Sequence, residues 1–373
     1  MKKSIRVHNV LDYLGRNILG REDKALLVMS LAPHVSQDEL DAFLSDWEID
    51  KAPVQSVILL AHLMKTHPSL SFPEKIQPRL KGVLTYCRFQ SLKLVAHFSR
   101  IASALNQAQI PFVLLKGGAM KVYRPDFPRW MGDIDILVER GDFDRAEKVA
   151  EKLGYTPFRS LHSVDFRLAG TQEGIVDLHR YIEMHTGREE VYNRDLVNRS
   201  HLQEVFSAQG LLPCREDMVF ISLVNLYKNL ADHTSTDSVL NTFYDLHYLI
   251  DNPLGFDWTL VRENAGRTGT DMQIWLAASF VASVFPKLFP PELLSGWVDP
   301  EEADVQCVRL LYRREVLSPL REEIGEFNVC KAFRQIRPLG GYLGKRARFF
   351  FLKRLKGVQS QMQVLRHRGF MEE

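Results

Sequence analysis

Apolar and polar positions alternate with two different periods along this chain, and the switch between them marks its organisation. Residues 1–90 carry helical spacing. Ser36-Gln37-Asp38-Glu39 reads as a capping box that opens a helix through Trp47. A compact apolar run from Val54 to Met64 ends at His67-Pro68, and Pro73 and Pro78 break the next stretch. A longer helix is predicted from Leu80 to Ala108, with Leu92, Val95, Ala96, Ile101 and Leu105 on its apolar stripe. The period then shortens. Pro111 to Leu115 is a short apolar strand ending in Lys116-Gly117-Gly118. A helical segment follows from Ala119 to Tyr123, then a Pro-bounded loop from Arg124 to Trp130, then a second strand from Met131 to Val138.

Beyond this strand a helix is expected up to Leu153, stopped by Gly154. Val164, Phe166 and Leu168 alternate as a strand, Gly170 to Gly174 is a turn, and Ile175 to Tyr181 returns as another strand. From about Asn198 the pattern predicts helices again. Glu216 to Leu230 carries the stripe Val219, Leu223, Leu226 and Leu230, and Leu240 to Ile250 is a further helix. Four regions result: a helical region over 1–90, a mixed core over 91–196, a helical region over 197–340 and a basic tail over 341–373.

The candidate chemistry gathers in the core. Strand side chains alternate with period two, so Asp133 and Asp135 point to one side. Two neighbouring carboxylates repel and resist desolvation, which a divalent cation relieves. The Gly117-Gly118 pair allows close approach of backbone to a ligand, and the start of the next helix favours phosphate oxygens. Lys116 offers a point charge to a phosphate, and Arg129 a two-pronged donor. On the returning strand Asp177 and His179 share one face. Lys228 and Asp245 on the later helices are further candidates, the first for a phosphate and the second for a substrate or a helix cap.

Three segments together carry a resemblance: Leu114-Leu115-Lys116-Gly117, then Arg129-Trp130-Met131-Gly132-Asp133-Ile134-Asp135-Ile136-Leu137-Val138, then Val176-Asp177-Leu178-His179. They resemble the bacterial uncharacterised nucleotidyltransferase family within the DNA polymerase β superfamily. The likeness is specific over Ile110 to Arg180 and looser from Tyr86 to Asn252. At the glycine turn, Lys116-Gly117-Gly118 replaces the commoner Gly-Ser. The resemblance implies an α+β fold, a polymerase β-like core with a small mixed sheet flanked by helical domains. It implies transfer of a nucleoside monophosphate from an NTP, ATP by default, to a hydroxyl acceptor, with loss of pyrophosphate. It also implies two Mg²⁺ ions, or Mn²⁺, on Asp133, Asp135 and Asp177, with Asp177 activating the acceptor. Lys116, Gly117, Gly118, Arg129, His179, Lys228 and Asp245 are then nucleotide contacts. The acceptor stays open among a small molecule, a peptide or protein, and an RNA end.

Composition narrows this little. Apolar residues make up 45% and charged residues 25%, as in an ordinary globular protein, and the net charge of +2 names no partner. Cys87, Cys214, Cys307 and Cys330 are far apart with no C-x-x-C, which fits a reduced, cytoplasmic setting. No apolar run suits a signal peptide or a membrane span. Between Lys345 and Arg368 stand eight Lys/Arg and no Asp/Glu, around Phe349-Phe350-Phe351-Leu352. A basic strip of this kind either packs on the protein or contacts nucleic acid or an anionic membrane. Two alternatives to catalysis follow: a nucleotide- or nucleic-acid-binding protein on the same scaffold, and a peripheral membrane protein held by the tail.

Overall fold

The computed structural model describes residues 7–314 apart from 127–128, 161, 169–173, 233–235, 252–254, 287 and 290. The basic tail, with the contacts expected at 345–368, lies outside the described residues. Five helices come first: α1 (Val7–Ile18), α2 (Arg21–Leu31), α3 (Gln37–Asp46), α4 (Val54–Thr66) and α5 (Gln77–Gln107). Then follow β1 (Phe112–Leu114), α6 (Lys116–Tyr123), β2 (Ile134–Val138), α7 (Phe143–Lys152), β3 (Tyr155–Arg159), β4 (Ser163–Leu168), β5 (Gly174–His179), α8 (Glu189–Arg199), β6 (His201–Val205) and β7 (Ala208–Leu212). The chain goes on as α9 (Arg215–Ala231), α10 (Thr236–Ile250), α11 (Trp258–Thr268), α12 (Asp271–Val284), α13 (Pro291–Leu294) and α14 (Pro300–Tyr312).

The capping box of α3 forms as expected: the Glu39 backbone N–H donates to Ser36 Oγ, and Glu39 accepts from the Ser36 N–H at 2.8 Å. Helix α5 is 31 residues long and starts with Pro78 in its first turn, where a missing N–H costs nothing. Its buried face is Leu94, Phe98, Ile101, Ala102 and Leu105. Leu92, read as part of that stripe, is 59% exposed, because the burying face is set by the sheet below and not by helical spacing alone.

The strands form one mixed sheet in the order β3-β4-β5-β2-β1-β7-β6. The seven-stranded sheet and its surrounding helices are the α+β architecture expected from the core motifs. β2 is buried along its whole length, as a central strand covered on both faces must be. Phe98 of α5 meets Phe112 of β1 and Phe206 edge to face, at 5.7 and 5.9 Å, and so fixes α5 beneath the sheet. β3, which the sequence pattern did not show, is an edge strand. It contains Pro157, which has no N–H to donate, and edges tolerate that.

The chain after Asn198 is not immediately helical, as the apolar pattern had suggested. A hairpin comes first: β7 pairs parallel with β1 at Val113↔Leu211, and β6 closes that edge. The second strand also starts later than expected, at Ile134 and not Met131. Asp133 therefore sits in the bend before the strand.

The helices on either side of the core pack on each other as well as on the sheet. α4 and α2 contact α10, and α1 contacts α12 and α14. Asp237 of α10 accepts the N–H of Gln55 at the start of α4, at 2.7 Å, and Ser56 donates to Asp23 of α2 at 2.6 Å. No helix among the described residues is long and apolar enough to cross a membrane.

Candidate active site

The site forms where β1, β2 and β5, the middle of the sheet, reach the start of α6. β2 and β5 run parallel with Asp135↔Asp177 and Leu137↔His179 as register partners. The period-two alternation then puts Asp135, Asp177 and His179 on one face. His179 lies between the carboxylates: its Nε2 is 2.8 Å from Asp135 Oδ1 and 3.1 Å from Asp177 Oδ2. One ligand atom from each of the three residues falls within 4.8 Å of the others. Asp133 is outside that triplet but close enough to act on its charge. Among the described residues, Asp177 Oδ1 and His179 Nδ1 are buried without a hydrogen-bond partner.

Lys116 brings a positive charge into the same cluster. Its backbone sits in the left-handed region, at φ 43°, where the chain turns from β1 into α6. Its Nζ is 2.5 Å from Asp135 Oδ1. Burial raises the Asp135 carboxyl, but Lys116 and His179 outweigh it and hold this acid well below the usual range. Burial followed by the Asp135 charge pushes Asp133 the other way, up to about 7. Burial alone would favour neutral His179, yet its hydrogen bonds to Asp135 and Asp177 raise its pKa. The cluster therefore sets the Asp135 and Asp177 carboxylates against Lys116 and the His179 ring, with a third acid that ionises reluctantly. Buried groups shifted in opposite directions by specific charge partners make this cluster a candidate functional site.

The glycines after Lys116 are both buried. A Cβ on Gly117 would run into the Arg129 guanidinium, and one on Gly118 would stand 2.8 Å from Leu114 Cδ1 and 3.1 Å from Ile134 Cγ2. A methyl at either position would have to displace one of these side chains, so the glycines let Arg129 lie over the first turn of α6 and α6 settle onto β1 and β2.

Arg129 is held from several directions. Its Nε donates to both oxygens of Asp245, at 3.0 and 3.1 Å, and Asp245 is only 3% exposed. Burial raises the Asp245 carboxyl and Arg129 partly offsets it. The loop backbone is clamped too. Cys87 Sγ donates to the Arg129 carbonyl at 3.4 Å, Gln55 Oε1 accepts the Trp130 N–H at 3.2 Å, and Asn241 donates to the Trp130 carbonyl at 3.3 Å. Asp245 thus reaches the site through Arg129. Gln55 and Cys87 come from the N-terminal helices, where the sequence showed no chemistry.

Lys228 stands in a separate group. It pairs with Glu183, which also accepts from His185 Nε2 at 3.1 Å. His162 lies 3.7 Å from the same carboxylate and stacks on His179 with ring centres 5.9 Å apart. Glu183, His162 and His185 had no signal in the sequence, since each lies in an irregular or strand-end position. The structure thus brings together Asp133, Asp135, Asp177, His179 and Lys116, with Gly117, Gly118 and Arg129 beside them. Asp245 and Lys228 enter through partners.

No curated protein matches the chain significantly. Among solved structures, the solution structure of the antibiotic-resistance factor ANT(2'')-Ia aligns at 13% identity over 52% of this chain and 93% of that one, with a TM-score of 0.29. A crystal structure of an antigenic nucleotidyltransferase-like protein from Paracoccidioides brasiliensis aligns at 14% identity over 54% and 91%, with a TM-score of 0.38. The model of one protein family matches residues 56–286, which span the site residues from Cys87 to Asp245, while Gln55 lies one residue before the match. The chain belongs to the family described as uncharacterised nucleotidyltransferase.

Proposed function

We propose that this protein transfers a nucleoside monophosphate from an NTP, ATP by default, to a hydroxyl acceptor and releases pyrophosphate. The observation that carries this reading is the pairing of Asp135 with Asp177 across β2 and β5, beside Lys116, Gly117 and Gly118 in the first turn of α6. The residues fit a divalent cation: carboxylates converge, His179 joins them, and Asp177 Oδ1 is buried without a partner. Asp133, Asp135 and Asp177, with His179, would hold Mg²⁺ or Mn²⁺, two ions in the full complex. Such ions supply charge neutralisation at the phosphates and the leaving group.

The protein's own groups do the rest. The backbone N–H groups at the start of α6 have no partner within the helix and point to phosphate oxygens. Lys116 exchanges its contact with Asp135 for the β and γ phosphates. Arg129, held by Asp245, presents its remaining N–H groups over Gly117 to the same oxygens. Asp177 Oδ1 accepts the proton of the acceptor hydroxyl. The freed oxygen attacks the α-phosphorus, the bond to the bridging oxygen breaks, and pyrophosphate leaves with that electron pair. Lys228 and Glu183 support His162 and, through it, the outer side of His179.

Isothermal titration with each NTP and Mg²⁺, on the wild type and on Asp135→Asn, tests the reading. Metal-dependent binding that disappears in the variant is expected. A wild-type protein that binds no NTP overturns it.

A further inference from the structure

Helix α5 contains five Lys/Arg and no Asp/Glu in 31 residues. At 1.5 Å per residue it is about 46 Å long, while the strands run at most from Ser163 to Leu168 or from Gly174 to His179, about 20 Å. Its C-terminal half, from Leu94 to Leu105, is the part that buries apolar side chains against the strands. The chain then reverses into β1, so the N-terminal half of α5 overshoots the end of β1, where Lys116 and Arg129 stand. Contacts locate it there directly: Cys87 Sγ reaches the Arg129 carbonyl, and the Tyr86 ring stacks on Trp130 at 5.7 Å and 25°.

On this overhang Tyr86, Phe89 and Leu92 are 51%, 62% and 59% exposed, at a spacing that puts them on one face. Arg88 is exposed between them in the sequence, while Arg124, at the end of α6, lies over the Tyr248 ring instead. Lys121 of α6 acts on Cys87 and Arg88, with Asp126 the acid next to it. The result is an aromatic ledge with Arg88 and Lys121 beside it, joined to the loop before β2 through Trp130.

We infer that this ledge binds a single-stranded nucleic acid, whose terminal hydroxyl is the acceptor of the transfer. This inference rests on the function proposed above. Arg88 and Lys121, the cations beside these rings, favour an anionic partner: unpaired bases stack on aromatic rings while their phosphates meet the cations. The strand end supplies the hydroxyl that the chemistry requires.

Fluorescence anisotropy with a labelled single-stranded RNA of about twelve nucleotides tests it, a length within the usual reach of one binding groove. The double variant Tyr86→Ala/Phe89→Ala should bind at least about tenfold more weakly, since each stacked base is lost with its ring. Arg88→Glu should flatten the dependence of affinity on salt. Both variants change exposed side chains and should keep the wild-type circular dichroism and Mg²⁺–NTP titration. Unchanged affinity in the double variant overturns the inference, as does equal binding of the duplex of the same sequence, which offers no unstacked bases. An oligoglutamate peptide that binds as tightly and loses affinity in the same variants would assign the ledge to an acidic polypeptide instead. If RNA binds as expected but no NTP does, the proposed function fails and the ledge stands. If NTPs bind and RNA does not, the reverse holds.

Discussion

The Nε of Arg129 donates to both carboxylate oxygens of Asp245, which lies 116 residues further along the chain. This pair ties the loop before β2 to the middle of α10 and sets the guanidinium over Gly117. Both partners are largely buried, so removing one leaves an uncompensated charge. Asp245→Ala should therefore destabilise the fold by about 3–5 kcal/mol. The double variant Arg129→Met/Asp245→Leu should recover much of that loss in urea denaturation, yet still bind Mg²⁺–NTP weakly. Full recovery of nucleotide affinity in the double variant would reduce Arg129 to a structural part.

Asp135→Asn and Asp177→Asn should each lower transfer by roughly 10²–10³-fold, the usual scale for losing one electrostatic support of a transition state. Both are near-isosteric, and circular dichroism should show an intact fold. A variant that keeps wild-type turnover would remove that residue from the chemistry.

Gly118→Ala tests the close approach of α6 to β1 and β2. The added methyl meets Leu114 and Ile134 side chains at 2.8–3.1 Å, so overpacking should cost about 1–3 kcal/mol. Gly117→Ala should differ in kind, because it displaces the Arg129 guanidinium. Its effect should appear first as weaker nucleotide binding, read by titration calorimetry.

A second buried charge network should matter for folding alone. Asp217 is fully buried and accepts from Arg199 at 2.7 and 2.9 Å, from Asn264 at 3.0 Å and from Tyr192 at 3.1 Å. It joins α8, α9 and α11. Asp217→Ala leaves Arg199 unpaired and should cost about 3–5 kcal/mol. Any folded fraction should bind NTP with wild-type affinity, which a titration corrected for active protein would check.

His62 gives the acid limb of stability a definite sign. Burial, then Lys65, His67 and Arg124, push it from its ordinary 6.5 down to about 4. The folded protein keeps this ring neutral, beside Tyr244, while the unfolded chain takes up a proton near its ordinary value. Stability should therefore fall as pH drops from about 6.5 to about 4, with no contribution from this ring above that window. His62→Gln should flatten the fall, measured as the urea midpoint across that range.

Much of the site was legible before the fold was known, because the signals were local. Alternation along one strand sets which of its side chains share a face, so Asp177 with His179 could be paired on paper; the short helix after β1 was legible too, although it starts at Lys116 and not at Ala119, so both glycines lie in its first turn. The family resemblance rested on the same short segments, and the mixed sheet followed from them. The rest depends on which strands and helices meet. Sequence spacing cannot say that Asp135 lies opposite Asp177, since that register comes from packing β2 against β5. Nor can it say that Asp133 precedes the strand, that β6 and β7 complete the sheet, or that Leu92 faces outward. Arg129 and Asp245, and Glu183 with Lys228, find each other only once α9 and α10 close over the core. A buried charge takes whatever partner the packing brings within reach, and no local pattern in the chain encodes that choice.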